Sequence, residues 1–392
     1  MTEKSWIDRR GFLKTSAIGA AGIALLAENV EAVAPISLQM PTSSSERRII
    51  PLNDGWLYSE SVQKGATDPG HNDKTYKQVT IPHTNKMLPA SGFDEKEYTF
   101  VSVYRRHFRL PAGLANHRIF IDFEGVMTAA RVFINGVDLG EYKGGYTPFS
   151  FELTKHVRHN ASNVLAVVVD STERSDIPPF GGLIDYLTFG GIYREVQIRA
   201  VPQVFIENVF AKPVNVLRDD RSVNVKVFVE GTLSGSPELK VQLLKDGSVI
   251  GSASKRLPGA GEQTVELSKI GNVSLWDTQH PNLYTIHVSI ADGSRTIDQY
   301  ETRIGFREAK FTPEGFYLNG KHLKLRGLNR HQTYPFVGQA MPARVQKRDA
   351  EIIRKELRCN MVRTSHYPQS THFLDACDEY GLLVFEEIPG WQ

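Results

Sequence analysis

The chain has 392 residues, of which 41% are hydrophobic and 23% are charged. This length predicts two or three domains, and the composition excludes an intrinsically disordered chain. The formal net charge of +2 gives no indication of a nucleic-acid or membrane-surface partner and suits an uncharged ligand. The chain has two cysteines, Cys359 and Cys377, which we predict to lie on two helices as free core thiols rather than as a disulfide.

The N-terminus carries the features of an export signal. Residues 8–14, "DRRGFLK", contain an arginine pair, and the weakly apolar run "TSAIGAAGIALLA" follows them. This pattern is typical of a twin-arginine signal peptide, which we place at residues 1–34. The apolar run, of about 13 residues, is too short to span a bilayer as a helix. Small residues allow cleavage after Ala34 or after Ala32. We therefore expect a periplasmic or secreted protein that is exported folded by the twin-arginine pathway and does not depend on disulfides.

Two regions of short strands follow, over residues 48–201 and 202–308. In the first, "ARVFINGVDLGEY" places Asn135-Gly136 between two apolar runs, which is a strong signal for a hairpin turn. The second has alternating apolar residues on one strand face, namely Val223, Val225, Val227 and Val229. About 100 residues of short strands without helical periodicity indicate a small antiparallel sandwich.

The pattern changes after Phe311. "GFYLNGKHL" predicts a hairpin, "KLRGLNRH" a strand, and "RVQKRDAEIIRKELRC" a helix, because apolar residues recur there at helical spacing. Those apolar residues are Val345, Ile352, Ile353 and Leu357. "NMVRTSHY" predicts the next strand, "STHFLDACDEYG" a helix that ends at Gly381, and "LLVFEEIPGW" a third strand. This alternation predicts the opening of a parallel α/β fold, either a barrel or an open doubly wound sheet.

Polar side chains gather where each of these three strands ends. They are Asn329, Arg330 and His331 after the first strand, Arg363, Ser365, His366 and Tyr367 after the second, and Glu386 and Glu387 after the third. Because parallel α/β folds place their active sites at the C-terminal ends of the strands, we expect these side chains to share one polar pocket.

Three motifs in this order resemble those of glycoside hydrolase family 2, which includes β-galactosidases, β-glucuronidases and β-mannosidases. They are "GGIYREV" at 190–196, "LWDTQHPNLY" at 275–284 and "NMVRTSHYPQSTHFLDACDEYGLLVFEE" at 360–387. The resemblance extends from about Arg48 to the last residue and implies a multidomain fold. Its parts would be a jelly-roll sugar-binding domain over 48–201, an immunoglobulin-like β-sandwich over 202–308, and the first three βα units of a (β/α)₈ TIM barrel, truncated, over 309–392.

The activity implied by the resemblance is hydrolysis of β-glycosides with retention. Such a reaction uses two carboxyl groups about 5 to 5.5 Å apart, one as acid and one as nucleophile. In the family this pair lies at the ends of the fourth and seventh barrel strands, so we expect the catalytic residues beyond Gln392 and none within the chain. Glu386 and Glu387 are excluded as the pair because adjacent strand residues point to opposite faces. A better role for one of them is to hold Arg363 by a charge-assisted hydrogen bond.

The resemblance also implies residues that contact the substrate. These are Asp185 from the sugar-binding domain and His331, Arg363 and His366 from the strand ends, supported from behind by Asn329, Tyr367 and Glu387. Trp391 either stacks on a sugar or packs in the core. It stands where the family's magnesium-dependent β-galactosidases have a glutamate, so we expect no metal site, and no cofactor is implied.

The sequence therefore predicts the N-terminal part of an exported retaining β-glycosidase, closest to the β-galactosidases, that binds a β-galactoside or a related oligosaccharide. "RTSHYP" is equally typical of glucuronidases, so β-glucuronidase or β-mannosidase specificity stays open. A non-catalytic carbohydrate-binding protein is the alternative from another class. We expect no nucleic-acid partner, and no membrane partner after signal removal, and leave homo-oligomerisation open.

Overall fold

The structure, a computed structural model, describes residues 47–181, 186–268 and 270–389. All of them lie in one of the two structural units of the chain, Ser44–Gln392. The predicted signal peptide, Asp185 and Trp391 lie outside the described residues. In the described part, no helix combines the length and the apolar character that crossing a bilayer requires.

The first described region, up to Val201, is a two-layered β-structure. Its strands are β1 (Arg48–Pro51), β2 (Trp56–Ser59), β3 (Lys77–Val79), β4 (Val101–Phe108), β5 (Arg118–Phe123), β6 (Val126–Met127), β7 (Ala129–Ile134), β8 (Val137–Lys143), β9 (Phe149–Glu152), β10 (Asn163–Asp170), β11 (Gly191–Ile192) and β12 (Val196–Val201), with one 3₁₀ turn at Glu95–Glu97. The described strands form an antiparallel sheet in the order β1-β12-β5-β9 and a larger one in the order β3-β2-β4-β10-β7-β8, while β11 pairs with β6. The two larger sheets share one apolar core that includes Trp56, Ile121 and Leu165.

The hairpin predicted at Asn135-Gly136 is confirmed. These residues join β7 to β8, and their φ angles of 51° and 84° lie in the left-handed region that a tight two-residue hairpin turn requires.

The second region is an antiparallel sandwich. Its strands are β13 (Phe205–Val214), β14 (Ser222–Glu230), β15 (Glu238–Lys245), β16 (Ser248–Arg256), β17 (Gly261–Leu267), β18 (Tyr284–Asp292) and β19 (Arg295–Ile304). In the described residues, one sheet has the order β13-β14-β17 and the other β16-β15-β18-β19. The four alternating valines of β14 are buried between the two sheets, as the spacing predicted.

The third region begins with the predicted hairpin and continues as a parallel sheet. Its strands are β20 (Ala309–Thr312), β21 (Gly315–Leu318), β22 (Lys321–His322), β23 (Gly327–Asn329), β24 (Met361–Arg363) and β25 (Leu383–Phe385), and its helices are α1 (Ala343–Glu351) and α2 (Thr371–Tyr380). Strand β24 pairs in parallel with β23 and with β25. Val362, Phe373 and Cys377 belong to the apolar core that the helices and this sheet share. Helix α2 ends at Gly381, whose φ of 74° is a left-handed conformation that favours glycine.

Two details differ from the predicted first helix. Its last turn is a π-turn over Ile352–Glu356, so the chain leaves the helix before Leu357, which is exposed rather than in the core. Cys359 follows this turn instead of lying on a helix, whereas Cys377 does lie on α2. Both cysteines are buried free thiols, as predicted.

Contacts between the three regions fix where their loops meet. Arg47 pairs with Asp298 across the first two regions (2.7 Å), and Trp276 Nε1 donates to the Asp378 carbonyl oxygen of α2 (2.9 Å). His372 of α2 lies 3.0 Å from Glu195 of the first region. The second region and the first region therefore both contact α2, the helix that follows β24.

Candidate functional site

The site is built on the parallel strands β23, β24 and β25, which end in register. Asn329 is paired with Arg363, and Arg363 with Phe385. The polar segments that follow the strands therefore leave the sheet at the same edge. Asn329 itself is exposed at the end of β23.

Glu387 organises the centre of the site. Arg363 Nε donates to its Oε1 (2.5 Å), and His366 Nδ1 lies 2.8 Å from its Oε2. Burial alone would raise the pKa of Glu387, but the hydrogen bonds from His366 and Arg363 outweigh it and lower that pKa below its ordinary value. Glu387 is therefore an ionised anchor for two side chains, and the predicted contact between one of the paired glutamates and Arg363 is present.

Glu386 lies in a different environment from its neighbour. Its Oε2 accepts from the Thr364 hydroxyl (3.1 Å) and its Oε1 from the Gln369 backbone N–H (3.3 Å). Burial raises the pKa of Glu386, against these hydrogen bonds. Because the two carboxylates have separate partners, they do not face one common bond, in agreement with the argument from strand geometry.

Aromatic side chains form a wall beside this charged group. The His366 ring lies 5.4 Å from that of His331 and 5.7 Å from that of Tyr186. Tyr367 stacks on Tyr146, with ring centroids 4.5 Å apart and an interplanar angle of 13°. His331 and His366 are thus brought together as predicted, and both adjoin tyrosines of the first region.

Tyr367 is held inside this wall rather than presented to solvent. It is buried, and its hydroxyl accepts a hydrogen bond from the Gln332 backbone N–H (3.0 Å). Burial raises the pKa of Tyr367 far above its ordinary value, so the phenol is neutral. This placement suits the supporting role predicted for it.

Arg330 does not belong to the pocket, contrary to the expectation that all strand-end polar residues share it. Its guanidinium turns toward α1, where Nη2 donates to Asp349 Oδ2 (2.7 Å) and to Gln346 Oε1 (2.7 Å). It also lies 4.0 Å above the Phe373 ring. The physical reason is strand alternation, which directs Arg330 away from the face used by His331.

Sequence reasoning missed three residues of the first region that bear on the site, namely Tyr146, Tyr186 and Arg194. Tyr186 directly follows Asp185 in "DYLTFGGIYR", and this neighbourhood was the one sequence feature that could have indicated that Tyr186 lies near the site. No local pattern pointed to Tyr146. Asp185 itself lies outside the described residues, and its predicted contact with the ligand stays a prediction.

In the part of the chain that the structure describes, no three His, Cys, Asp or Glu side chains are arranged to hold a metal ion.

The fold and the site define a multidomain protein in which two β-structures precede a parallel α/β segment in the chain. The polar site lies at the ends of the parallel strands. Comparison with protein families places all three parts in one family. Residues 45–202 match "Glycosyl hydrolases family 2, sugar binding domain", residues 204–307 match "Glycosyl hydrolases family 2", and residues 310–391 match "Glycosyl hydrolases family 2, TIM barrel domain". The chain belongs to glycosyl hydrolases family 2.

Curated relatives and solved structures agree with this assignment. A β-galactosidase of Thermoanaerobacterium thermosulfurigenes is 46% identical over 353 residues, covering 88% of this chain and 49% of the relative. A β-glucuronidase of Bacteroides fragilis is 31% identical over 361 residues, covering 88% and 50%. The crystal structure of a Bacteroides uniformis β-glucuronidase matches with a TM-score of 0.79 at 30% identity, over 88% of this chain and 42% of that one. The chain spans about half the length of these curated relatives.

Proposed function

We propose that this protein is a retaining β-glycosidase of the β-galactosidase type, and that the described residues supply the part of its site that recognises the sugar. The relative with 46% identity is named a β-galactosidase, whereas the β-glucuronidase relatives reported above share about 30%. The structural observation that carries the proposal is the charge balance around Glu387.

In the described residues around the site, the arginines already have hydrogen-bond partners, two of them carboxylates. Arg363 is paired with Glu387 and Arg330 with Asp349, and the buried Arg194 donates to backbone carbonyl oxygens. A sugar carboxylate would meet no uncommitted cation among them and would lie near the ionised Glu387. Burying an unpaired charge is costly, so the site favours a neutral sugar over a uronic acid.

The roles proposed for individual residues follow from these contacts. Arg363 and His366 hold Glu387 between them and present their remaining N–H groups toward the ligand, with His331 beside them. Asp185 would accept hydrogen bonds from two neighbouring sugar hydroxyls. The acid and the nucleophile of the reaction, two carboxyl groups about 5 to 5.5 Å apart, are not assigned to any described residue.

Calorimetric titration of the chain with methyl β-galactoside and methyl β-glucuronide tests this proposal. We expect the galactoside to bind at least about tenfold more tightly, since an uncompensated carboxylate costs on the order of 1.4 kcal/mol or more. Asp185→Asn should weaken galactoside binding by roughly tenfold or more, because one charge-assisted hydrogen bond is lost. The exposed Asp176, paired with Lys143 on the surface, provides the control Asp176→Asn, which should bind normally.

Preference for the glucuronide would contradict the proposal and favour β-glucuronidase specificity, the activity named for the Bacteroides relatives. Turnover of a chromogenic galactoside that Glu387→Gln abolishes would contradict the supporting role given to Glu387. Binding of neither sugar would remove the basis for a glycosidase site in these residues.

We further propose that the protein is exported by the twin-arginine pathway, which rests on the arginine pair in "DRRGFLK". Replacing both Arg9 and Arg10 by lysine should retain the protein in the cytoplasm, because the arginine pair is the distinctive element of such signals. Cell fractionation with immunoblotting measures this outcome. Replacing Lys4 and Lys14 by arginine keeps the same total charge and should leave export unchanged. An unaltered exported yield of the lysine variant would overturn the proposal.

A further inference from the structure

A buried arginine of the sugar-binding domain reaches into the loop that follows β24. The Arg194 side chain is 5% exposed. Its Nη2 donates to the Pro368 carbonyl oxygen (2.7 Å) and to Gln332 Oε1 (3.3 Å), and its Nη1 donates to the Tyr146 carbonyl oxygen (3.0 Å). One guanidinium therefore joins two segments of the barrel region to one loop of the sugar-binding domain.

The two barrel acceptors of Arg194 lie next to the two histidines of the site. Gln332 directly follows His331, and Pro368 comes two residues after His366. Gln332 also accepts from the Ser370 backbone N–H through its Oε1 (3.0 Å), so it ties the segment after β23 to the loop after β24. A shift of Arg194 would thus be transmitted to both histidine-bearing segments.

The third acceptor fixes the aromatic wall. Tyr146, whose carbonyl oxygen is held by Arg194, carries the ring on which Tyr367 stacks. Tyr367 lies between His366 and Pro368 in the chain. Both tyrosines of this stack are therefore anchored to the Arg194 guanidinium. Tyr146 is held through its own carbonyl oxygen, and Tyr367 through the carbonyl oxygen of the next residue, Pro368.

We propose that Arg194 is a positioning residue that sets the orientation of His331 and His366 and thereby makes the sugar-binding domain part of the site, an inference that rests on the proposed function. The planar guanidinium donates in fixed directions to several acceptors at once, which lysine does not reproduce. Displacements of about 1 Å at a site group are enough to impair it. A buried arginine bonded to both histidine-bearing segments therefore controls binding through their positions.

The alternative is that Arg194 only stabilises the fold, and Arg199 provides a matched control for it. Arg199 is also a buried arginine of the sugar-binding domain, at 8% exposed. It is bonded to Asp122 (2.9 Å) and Glu207 (2.8 Å), neither of which belongs to the barrel region. Arg199→Met therefore removes the same number of hydrogen bonds, three, without touching the site, although these are part-buried and go to carboxylates.

The experiment follows the ring of His366 by NMR in the 392-residue chain labelled with ¹³C at histidine Cε1. The chain has 12 histidines, and the signal that disappears in His366→Gln identifies His366. We expect the His366 signal to be single and narrow in the parent, and broadened or doubled in Arg194→Met. Arg194→Lys should partly restore the narrow signal. In Arg199→Met the signal should be like that of the parent. Galactoside affinity should fall about tenfold in Arg194→Met, equivalent to the loss of about 1.4 kcal/mol, and stay unchanged in Arg199→Met.

A folded Arg194→Met protein with a parent-like His366 signal would overturn the proposal, as would equal broadening in the two methionine variants. If Arg194→Met does not fold, Gln332→Met removes one of the two barrel acceptors of Arg194 and the bond from the Ser370 N–H. It should broaden the same signal, and a narrow signal there would contradict the proposal. The His366 signal needs no sugar. Failure of the parent to bind galactoside would therefore reject the proposed function while leaving the positioning role to be judged separately.

Discussion

Replacing Trp276 by alanine is expected to lower the free energy of unfolding by about 3–5 kcal/mol, the usual cost of removing a large buried aromatic ring. The ring is 1% exposed and packs with Phe316 and Leu318. Its Nε1 donates to the Asp378 carbonyl oxygen (2.9 Å), and the Arg307 guanidinium lies 4.9 Å from its ring centroid. The substitution leaves a cavity and removes the donor that ties the immunoglobulin-like domain to α2.

Guanidinium denaturation followed by far-ultraviolet circular dichroism measures this loss. Phe311→Ala is the control, because the Phe311 ring also lies beside Phe316 (4.9 Å between ring centroids) but the residue is 72% exposed. Surface substitutions usually change stability by about 0.5 kcal/mol or less. A Trp276→Ala protein that unfolds within about 1 kcal/mol of the parent would show that this interface contributes little.

The elements that could be predicted from the sequence are those whose signal is local. Alternating valines in β14 and the Asn135-Gly136 turn each depend on residues that are neighbours in the chain, and both were confirmed. The end of α1 was predicted less well, because its π-turn has no apolar signature. In that turn the Leu357 N–H bonds to the Ile352 carbonyl oxygen, which rotates Leu357 out of the apolar face.

The distinction between local and long-range signals also explains which contacts of the site could be predicted. Arg363, His366 and Glu387 could be placed together because parallel strands end at one edge and their following segments meet there. The contacts of Arg194 join residues 138 and 174 positions apart, so no spacing in the sequence announces them. The direction of Arg330 was available from strand alternation, yet the shared polar character of the strand end suggested a pocket instead.

Replacing Arg330 by methionine is expected to destabilise the barrel region by about 3 kcal/mol, because removing one partner of a buried ion pair leaves the other poorly solvated. The arginine is 5% exposed, and the side chain of its partner Asp349 is 28% exposed. Gln346 and Gln369 also lose the donor that their side-chain oxygens accept from. Methionine fills a similar volume, so most of the loss comes from these unpaired acceptors rather than from a cavity.

Arg303 provides the matched control for Arg330. It also bonds two side chains, Asp375 Oδ1 and Glu379 Oε1, each at 2.7 Å, but all three groups are partly exposed. Exposed pairs contribute about 0.2–1 kcal/mol, so Arg303→Met should lower stability by no more than about 1 kcal/mol. Guanidinium denaturation measures the loss in free energy of unfolding for each variant, and the difference between the two losses isolates the effect of burial. Equal losses would contradict the prediction and would mean that burial adds little to the contribution of the Arg330 network.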